Sequence, residues 1–371
     1  MSLPVVSNYP GPYGLSPDIH EPLLAGLCLL LMALGLYLVL PGVSRCYHLV
    51  RTRAGAGGRA GRRPQRAPVR SPARSPAPLN LLSAPDQTRP LLSRLARQCK
   101  LRARALLYPR QTRRWLAFWN KTSTHAALAL ATPRLLHKIY RPYQSLRLRQ
   151  PQRLDILTSH YDFIIGHSLA PLVLQASRRP IPLGRFQGKS GQDYEVRLAA
   201  ISSLDHEGEL ALHLYCGQEH LFSTAFTLCR QGAGWIVRIG CLQGAGSANS
   251  REQIRRATRD LFGLRPKALM VRLVRAIGAG FGCARVVLVS NGNRVSNRRS
   301  KKGRVHADYD AFWQELGAAR RSDGDYELPC EEAAPNLQDL PSRKRAEGRQ
   351  RQALTQAVTQ QVRGALAHAG A

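Results

Sequence analysis

The run Leu23–Leu40, LLAGLCLLLMALGLYLVL, has no charged residue in eighteen positions and restricts the chain more than any other segment. As a helix at ~1.5 Å per residue it would reach ~27 Å, close to the hydrocarbon thickness of a bilayer. A helix in a globular core shows a polar stripe, and this run has none. Pro22 sits where a first helical turn tolerates proline, and Pro41-Gly42 closes the run. The expectation is one transmembrane helix over residues 23–43. Residues 1–22 contain Asp18 and Glu21 but no Lys or Arg, so the basic start of a cleaved signal peptide is missing. Arg45, Arg51, Arg53 and Arg59 follow the run. The positive-inside rule therefore predicts a short extracytoplasmic N-terminus and a cytoplasmic remainder.

Charge is concentrated just beyond this run. The chain has 55 Lys and Arg against 23 Asp and Glu, a formal net charge of +32. About two dozen of the cations fall between Ser44 and Arg153, where Asp86 is the lone acid. Residues 44–90 are rich in Arg, Pro, Gly and Ser and poor in large apolar side chains, the composition of a disordered linker. Anionic lipid headgroups are the partner expected for it, at roughly 1 kcal/mol per cation near the surface. Nucleic acid is the less favoured partner, because no aromatics alternate with the basic residues to form a stacking platform. Eight Cys are scattered without a C-x-x-C pair, which argues against a disulfide framework or zinc module and for free thiols in a reducing compartment.

From residue 91 the pattern is that of a folded domain reaching residue 369. Helical spacing runs through Leu95, Leu101 and Leu106, then from Trp115 to Ile139, where Arg141-Pro142 stops it, and again from His160 to Ser177. The period then becomes two, predicting strands at Tyr194–Ala200, Glu209–Tyr215, Leu221–Leu228 and Trp235–Leu242. A basic amphipathic helix follows at Arg251–Phe262, then a helix opened by Pro266, a buried strand at Arg285–Val289 and a short helix at Tyr309–Leu316. An α+β fold results: a mostly antiparallel sheet with covering helices. His206, His213 and His220 recur every seven residues, which predicts opposite strand faces or positions across turns, and hence no metal site. Asp308, Asp310 and Glu315 form no Ca²⁺ loop, and there is no Walker motif or G-x-S-x-G elbow.

A set of ordered motifs carries a family resemblance. His160-Tyr161, His206-Glu207-Gly208-Glu209, Ile239-Gly240-Cys241-Leu242-Gln243-Gly244, Gly263-Leu264-Arg265-Pro266-Lys267, Val289-Ser290-Asn291 and the segment from Tyr309 to Gly317 occur in the order found in the VirK/YbjX family. The resemblance covers residues 95 to 367. It implies a bacterial protein linked to virulence, envelope stress and resistance to cationic antimicrobial peptides, with no established reaction. With the apolar run it implies a single-pass protein of the bacterial inner membrane. The apolar run, the Arg/Pro tether and Gly348 depart from the family pattern.

The C-terminal half also resembles, in its order of elements, the core of GNAT acyltransferases. That likeness implies an acyl-coenzyme A cofactor, its pyrophosphate at a turn before a helix. The matching positions are Gly263, Arg265 and Lys267, or alternatively Gln243, Gly244 and Gly246, with Asn291 or Asn293 beside the cofactor. Helix starts present unpaired N–H groups and favour anions, which suits the first set. Tyr309 is then the candidate general acid, and Glu207 or Glu209 the candidate base if burial raises its pKa. The Arg/Gln-x-x-Gly-x-Gly turn of that fold is missing.

Overall fold

The computed structural model describes residues 78–83, 91–132, 134–200, 204–246, 249–298, 307–332, 338 and 341–370. The apolar run and the 44–77 part of the linker lie outside these residues. Among the described residues no helix is long and apolar enough to cross a membrane. Helix α1 (Leu91–Leu107) falls in one compact unit, and residues from Arg110 onward, with 79–83, form a second.

The second unit is built on a sheet of eight described strands: β1 (Ile181–Gln187), β2 (Asp193–Ala200), β3 (Leu210–Cys216), β4 (Glu219–Gln231), β5 (Gly234–Gly244), β6 (Arg285–Leu288), β7 (Ala319–Arg320) and β8 (Tyr326–Pro329). Their order is β1-β2-β3-β4-β5-β6-β8-β7. Every pair is antiparallel except β5 and β6, which run parallel from Ile236↔Arg285 to Ile239↔Leu288. The parallel pair needs a crossover, supplied by α6 (Ser250–Asp260) and α7 (Pro266–Gly280).

The remaining helices are α2 (Pro109–Trp119), α3 (Ser123–Ala131), a 3₁₀ turn (Leu135–Tyr140), α4 (Gln150–Gly166), α5 (Ala170–Arg178), α8 (Tyr309–Glu315) and α9 (Ser342–Gly370). Local chemistry explains several boundaries. Thr122 caps α3 by accepting from the His125 N–H, and Asp308 caps α8 by accepting from the Ala311 N–H. Pro266 occupies the first turn of α7, where a missing N–H is harmless. The helical stretch expected over His160–Ser177 is two helices, α4 and α5. It begins ten residues earlier and breaks at Ser168, whose φ is +55°. The Trp115–Ile139 stretch is likewise three short segments, interrupted after Trp119 and Ala131.

Alternation along the strands sorts the sheet into two faces. Leu198, Leu210, Phe226 and Leu228 meet Ile277 of α7 and Leu366 of α9 around a small apolar cleft. The other face presents Ala211 and His213 from β3, with Glu209 just before it, and Ser223 and Ala225 from β4, with Thr227 beyond them. Pairing of β4 with β5 shifts between Ala225↔Cys241 and Phe226↔Ile239, which leaves Gly240 as the extra residue of a β-bulge. A Cβ on Gly240 would lie 2.0 Å from the Glu207 carbonyl oxygen. A glycine is needed there so that the 204–208 turn can lie flat on the sheet.

Candidate functional site

Glu209 begins on the second face and is sealed inside it. Its side chain is 1% exposed and pairs with Lys138 Nζ, itself 3% exposed, at 2.6 Å. The Tyr161 hydroxyl donates to the other carboxylate oxygen at 2.7 Å. Thr227 Oγ1 accepts from the Glu209 N–H at 3.2 Å and from Gln144 Nε2 at 2.7 Å, and bonds the Tyr143 hydroxyl at 2.9 Å. Burial, with the nearby Glu209 charge, pushes the Tyr143 and Tyr161 ionisations far above the usual tyrosine range. Glu209, Lys138, Tyr161, Tyr143, Gln144 and Thr227 thus each meet a partner, as an ion pair in the core requires. Glu209, an expected base, is a buried ion-pair partner whose carboxylate is engaged by Lys138 and Tyr161. Glu207 is different. It lies one turn away at the bulge, its carbonyl accepts from Gln144 Nε2 at 3.0 Å, and its charge helps burial push the Cys241 thiol up to about 12.

The second feature is the parting of β5 from β6. Their pairing ends with the Val289 N–H on the Ile239 carbonyl at 3.1 Å, whereas β5 continues beside β4 as far as Gly244↔Phe222. Residues 241–244 therefore turn one backbone edge away from any strand. Tyr309, at the start of α8, fills part of the opening. Its hydroxyl accepts from the Leu242 N–H at 2.7 Å and donates to the Leu242 carbonyl at 2.5 Å. Burial raises its ionisation well beyond the tyrosine range. The Arg294 guanidinium stacks 3.9 Å above its ring, and Cys241 Sγ is 3.9 Å from its hydroxyl. Asn291 fixes the start of α8: its N–H donates to Asp310 at 2.8 Å, its amide donates to Asp308 at 2.7 Å, and its side-chain oxygen accepts from the Tyr309 N–H at 2.9 Å. Asn293 instead turns into the core, donating to the buried Asp325 at 2.8 Å.

Gln243 and Gly244 end the parted strand, with Gln243 paired to Ser223 of β4. Beside them stands a pair of histidines placed across a turn, one of the two arrangements their spacing allows. His213 Nδ1 and His220 Nε2 both lie 2.7 Å from Ser223 Oγ, with ring centroids 5.6 Å apart. The hairpin at Gly217 and the register shift after Leu214 bring the two rings together. Burial and the neighbouring His220 lower the His213 pKa to about 4. His206 is elsewhere, its Nδ1 2.9 Å from the Pro142 carbonyl.

The remaining expected positions, Gly263, Arg265 and Lys267, frame the start of α7. Gly263 has φ +75°, a conformation natural to glycine. Arg265 pairs with Glu315 at the end of α8. Lys267 Nζ lies 4.0 Å from the centre of the Phe312 ring, where burial and Arg265 lower its pKa. Helix α8 thus borders both clusters, Tyr309 at the strand opening and Phe312 and Glu315 at the turn. Glu209 belongs to neither.

The profile described as "Protein of unknown function (DUF535)" matches residues 90–364. The chain belongs to the DUF535 family. The uncharacterized protein YbjX of Escherichia coli K12 is 29% identical over 269 residues, which are 71% of this chain and 81% of YbjX. Two uncharacterized proteins of Haemophilus influenzae are 28% identical over 163 residues (44% of this chain, 54% of that one) and 23% identical over 268 residues (71% and 88%). Among solved structures, a cAMP-binding acyltransferase from Mycobacterium smegmatis aligns at 11% identity and a TM-score of 0.25, covering 58% of this chain and 60% of that one. At that score the likeness adds nothing to the fold described above.

Proposed function

We propose that this DUF535 chain is held at the cytoplasmic face of a bacterial inner membrane by its apolar run, and that its domain binds an acyl-coenzyme A there to serve envelope homeostasis. The observation that carries the ligand reading is the parting of β5 from β6 at the Gly240 bulge. The edge that β6 leaves, where the Tyr309 hydroxyl holds the N–H and carbonyl of Leu242, can pair with an extended amide-bearing arm that takes the place of that hydroxyl, and pantetheine is such an arm. The order β5, crossover helices, β6, α8 agrees with the GNAT likeness noted in the sequence. In this reading Gln243 and Gly244 stand at the diphosphate and Asn291 lies beside the arm. Glu207 is the group placed to accept a proton from an acceptor nucleophile, and Tyr309 positions the strand. The Arg-rich linker would keep the domain near anionic headgroups, and a virulence or antimicrobial-peptide role would follow from acylation at that surface.

A non-catalytic, ligand-sensing role is the second reading. The commitment of Glu209 to Lys138 and of the Tyr309 hydroxyl to Leu242 favours it. The full chain in detergent, titrated with acetyl-coenzyme A, tests the shared ligand claim. Saturable binding with a raised melting temperature supports it, and Gln243→Glu should weaken binding about tenfold by placing a carboxylate against the diphosphate. No shift at about 1 mM ligand would sink the proposal.

A further inference from the structure

Helix α1 ends on side chains that a water-facing corner does not ordinarily show. Leu106, Leu107 and Tyr108 are 70%, 50% and 41% exposed, and Pro109 after them is exposed as well. Single apolar residues on a surface are commonplace, whereas three in succession at one corner form a patch. Leu101 and Ala103, about one turn back, are buried, so apolar exposure begins only where the helix ends.

Cations stand behind this patch. By helical spacing Leu106 lies one turn beyond Arg102 and Leu107 two turns beyond Lys100, and both cations are exposed. Between Asp86 and Asp155 the sequence holds no Asp or Glu, so the neighbouring chain offers no carboxylate to neutralise them.

Three partners could cover such a corner, and charge separates them. A second copy would bring the same cations against these and repel them. A protein partner would have to present acids and apolar residues together. An anionic leaflet offers both in layers, negative headgroups above apolar depth, and the corner is layered the same way. With the helix end-on, Arg102 and Lys100 lie roughly 6 and 10 Å behind the leucines, which suits phosphates above a polar layer about 5–8 Å thick. Tyrosine, apolar in body and polar at its tip, settles at that boundary.

We propose that the end of α1 is a membrane-insertion surface. Leu106 and Leu107 enter the acyl boundary of an anionic leaflet, Tyr108 lies at the headgroup level, and Lys100 and Arg102 contact lipid phosphates. This extends the membrane reading above from the linker to the folded chain and is independent of acyl-coenzyme A. The linker only keeps the chain near the surface; this contact fixes the end of α1 that meets it.

The test uses the full chain reconstituted one copy per lipid disc, comparing the parent with Tyr108→Trp. Trp115, Trp119 and Trp313 are fully buried, so an added indole at the corner stands out against them. In discs of about 30% phosphatidylglycerol its emission should move to shorter wavelength, and brominated lipid should quench it at least about twofold more than the parent. Lys100→Glu with Arg102→Glu, or discs of phosphatidylcholine alone, should remove most of that excess. Leu106→Ser with Leu107→Ser should do the same at unchanged charge. Quenching equal to the parent's in anionic discs overturns the proposal, as does a signal indifferent to lipid charge. A blue shift seen only with two copies per disc, without bromine quenching, identifies pairing of copies and overturns it too. Failure of the chain to co-elute with discs contradicts the apolar-run anchor alone. The corner is then read on free anionic vesicles, where the same quenching is expected and its absence is decisive.

Discussion

Substituting Lys138 by Met tests the buried ion pair with little change in packing, because Met keeps most of the lysine stem. Glu209 would then be a carboxylate 1% exposed, retaining the Tyr161 and Tyr143 hydroxyls but no cation. Removing one partner of a buried pair costs about 3–5 kcal/mol. For a domain of this size each kcal/mol corresponds to roughly 2–4 °C, so a fall in melting temperature of roughly 6–20 °C is expected. The remedy separates charge from packing: Lys138→Met with Glu209→Met removes both charges and should recover most of the loss, since apolar replacement of a whole buried pair is often neutral. Urea unfolding followed by tryptophan fluorescence suits the measurement, because Trp115 and Trp119 are fully buried. A single variant that loses less than about 1 kcal/mol would refute the reasoning, as would a double variant worse than the sum of its parts.

Three further outcomes follow from particular contacts. Gly240→Ala forces the 204–208 turn off the sheet and should lower stability by about 1–3 kcal/mol, measured by the same urea titration. Tyr309→Phe deprives the Leu242 N–H and carbonyl of their partner and should cost about 1–3 kcal/mol, with faster amide exchange at Leu242 by NMR. Burial holds the His160 pKa down at about 4, below its ordinary 6.5, so the unfolded chain takes up the proton first. Stability should therefore be unaffected by this residue above pH 6.5 and fall as pH drops from about 6.5 to 4, by about 3 kcal/mol at the lower limit. His160→Asn should flatten that part of the pH–stability curve.

The strands most easily read in the sequence were those with strict alternation and a long hairpin partner. Tyr194–Ala200 and Glu209–Tyr215 match β2 and β3 to within a residue. Strand β1 escaped because Pro182 and Gly184 interrupt its period and mark an irregularity in its pairing. The β7–β8 hairpin escaped because its strands, two and four residues long, are too short to show any period. The helices were visible as apolar periodicity; the break after Trp119 carries no proline or glycine signal, whereas the one at Ser168 lies between Gly166 and Pro171. At the site, the importance of the His206–Glu209 segment was legible, yet its meaning was not. The partner of Glu209 is Lys138, 71 residues earlier, and only the fold brings them together. His213 and His220 lie across a turn, as their spacing allowed, but the closeness of their rings depends on the tight hairpin at Gly217. The position of Tyr309 at the start of a helix could be read from sequence, while its grip on Leu242 depends on where β6 leaves β5.

The central claim is that the opening between β5 and β6 holds an acyl-coenzyme A. Hydrogen–deuterium exchange of the full chain with and without saturating acetyl-coenzyme A addresses it directly, because the edge of β5 beyond β6 is what the ligand must cover. Slower exchange confined to residues 241–246, 289–293 and 309–312 is the predicted result. Unchanged exchange in those segments, or protection appearing only elsewhere in the domain, would contradict it.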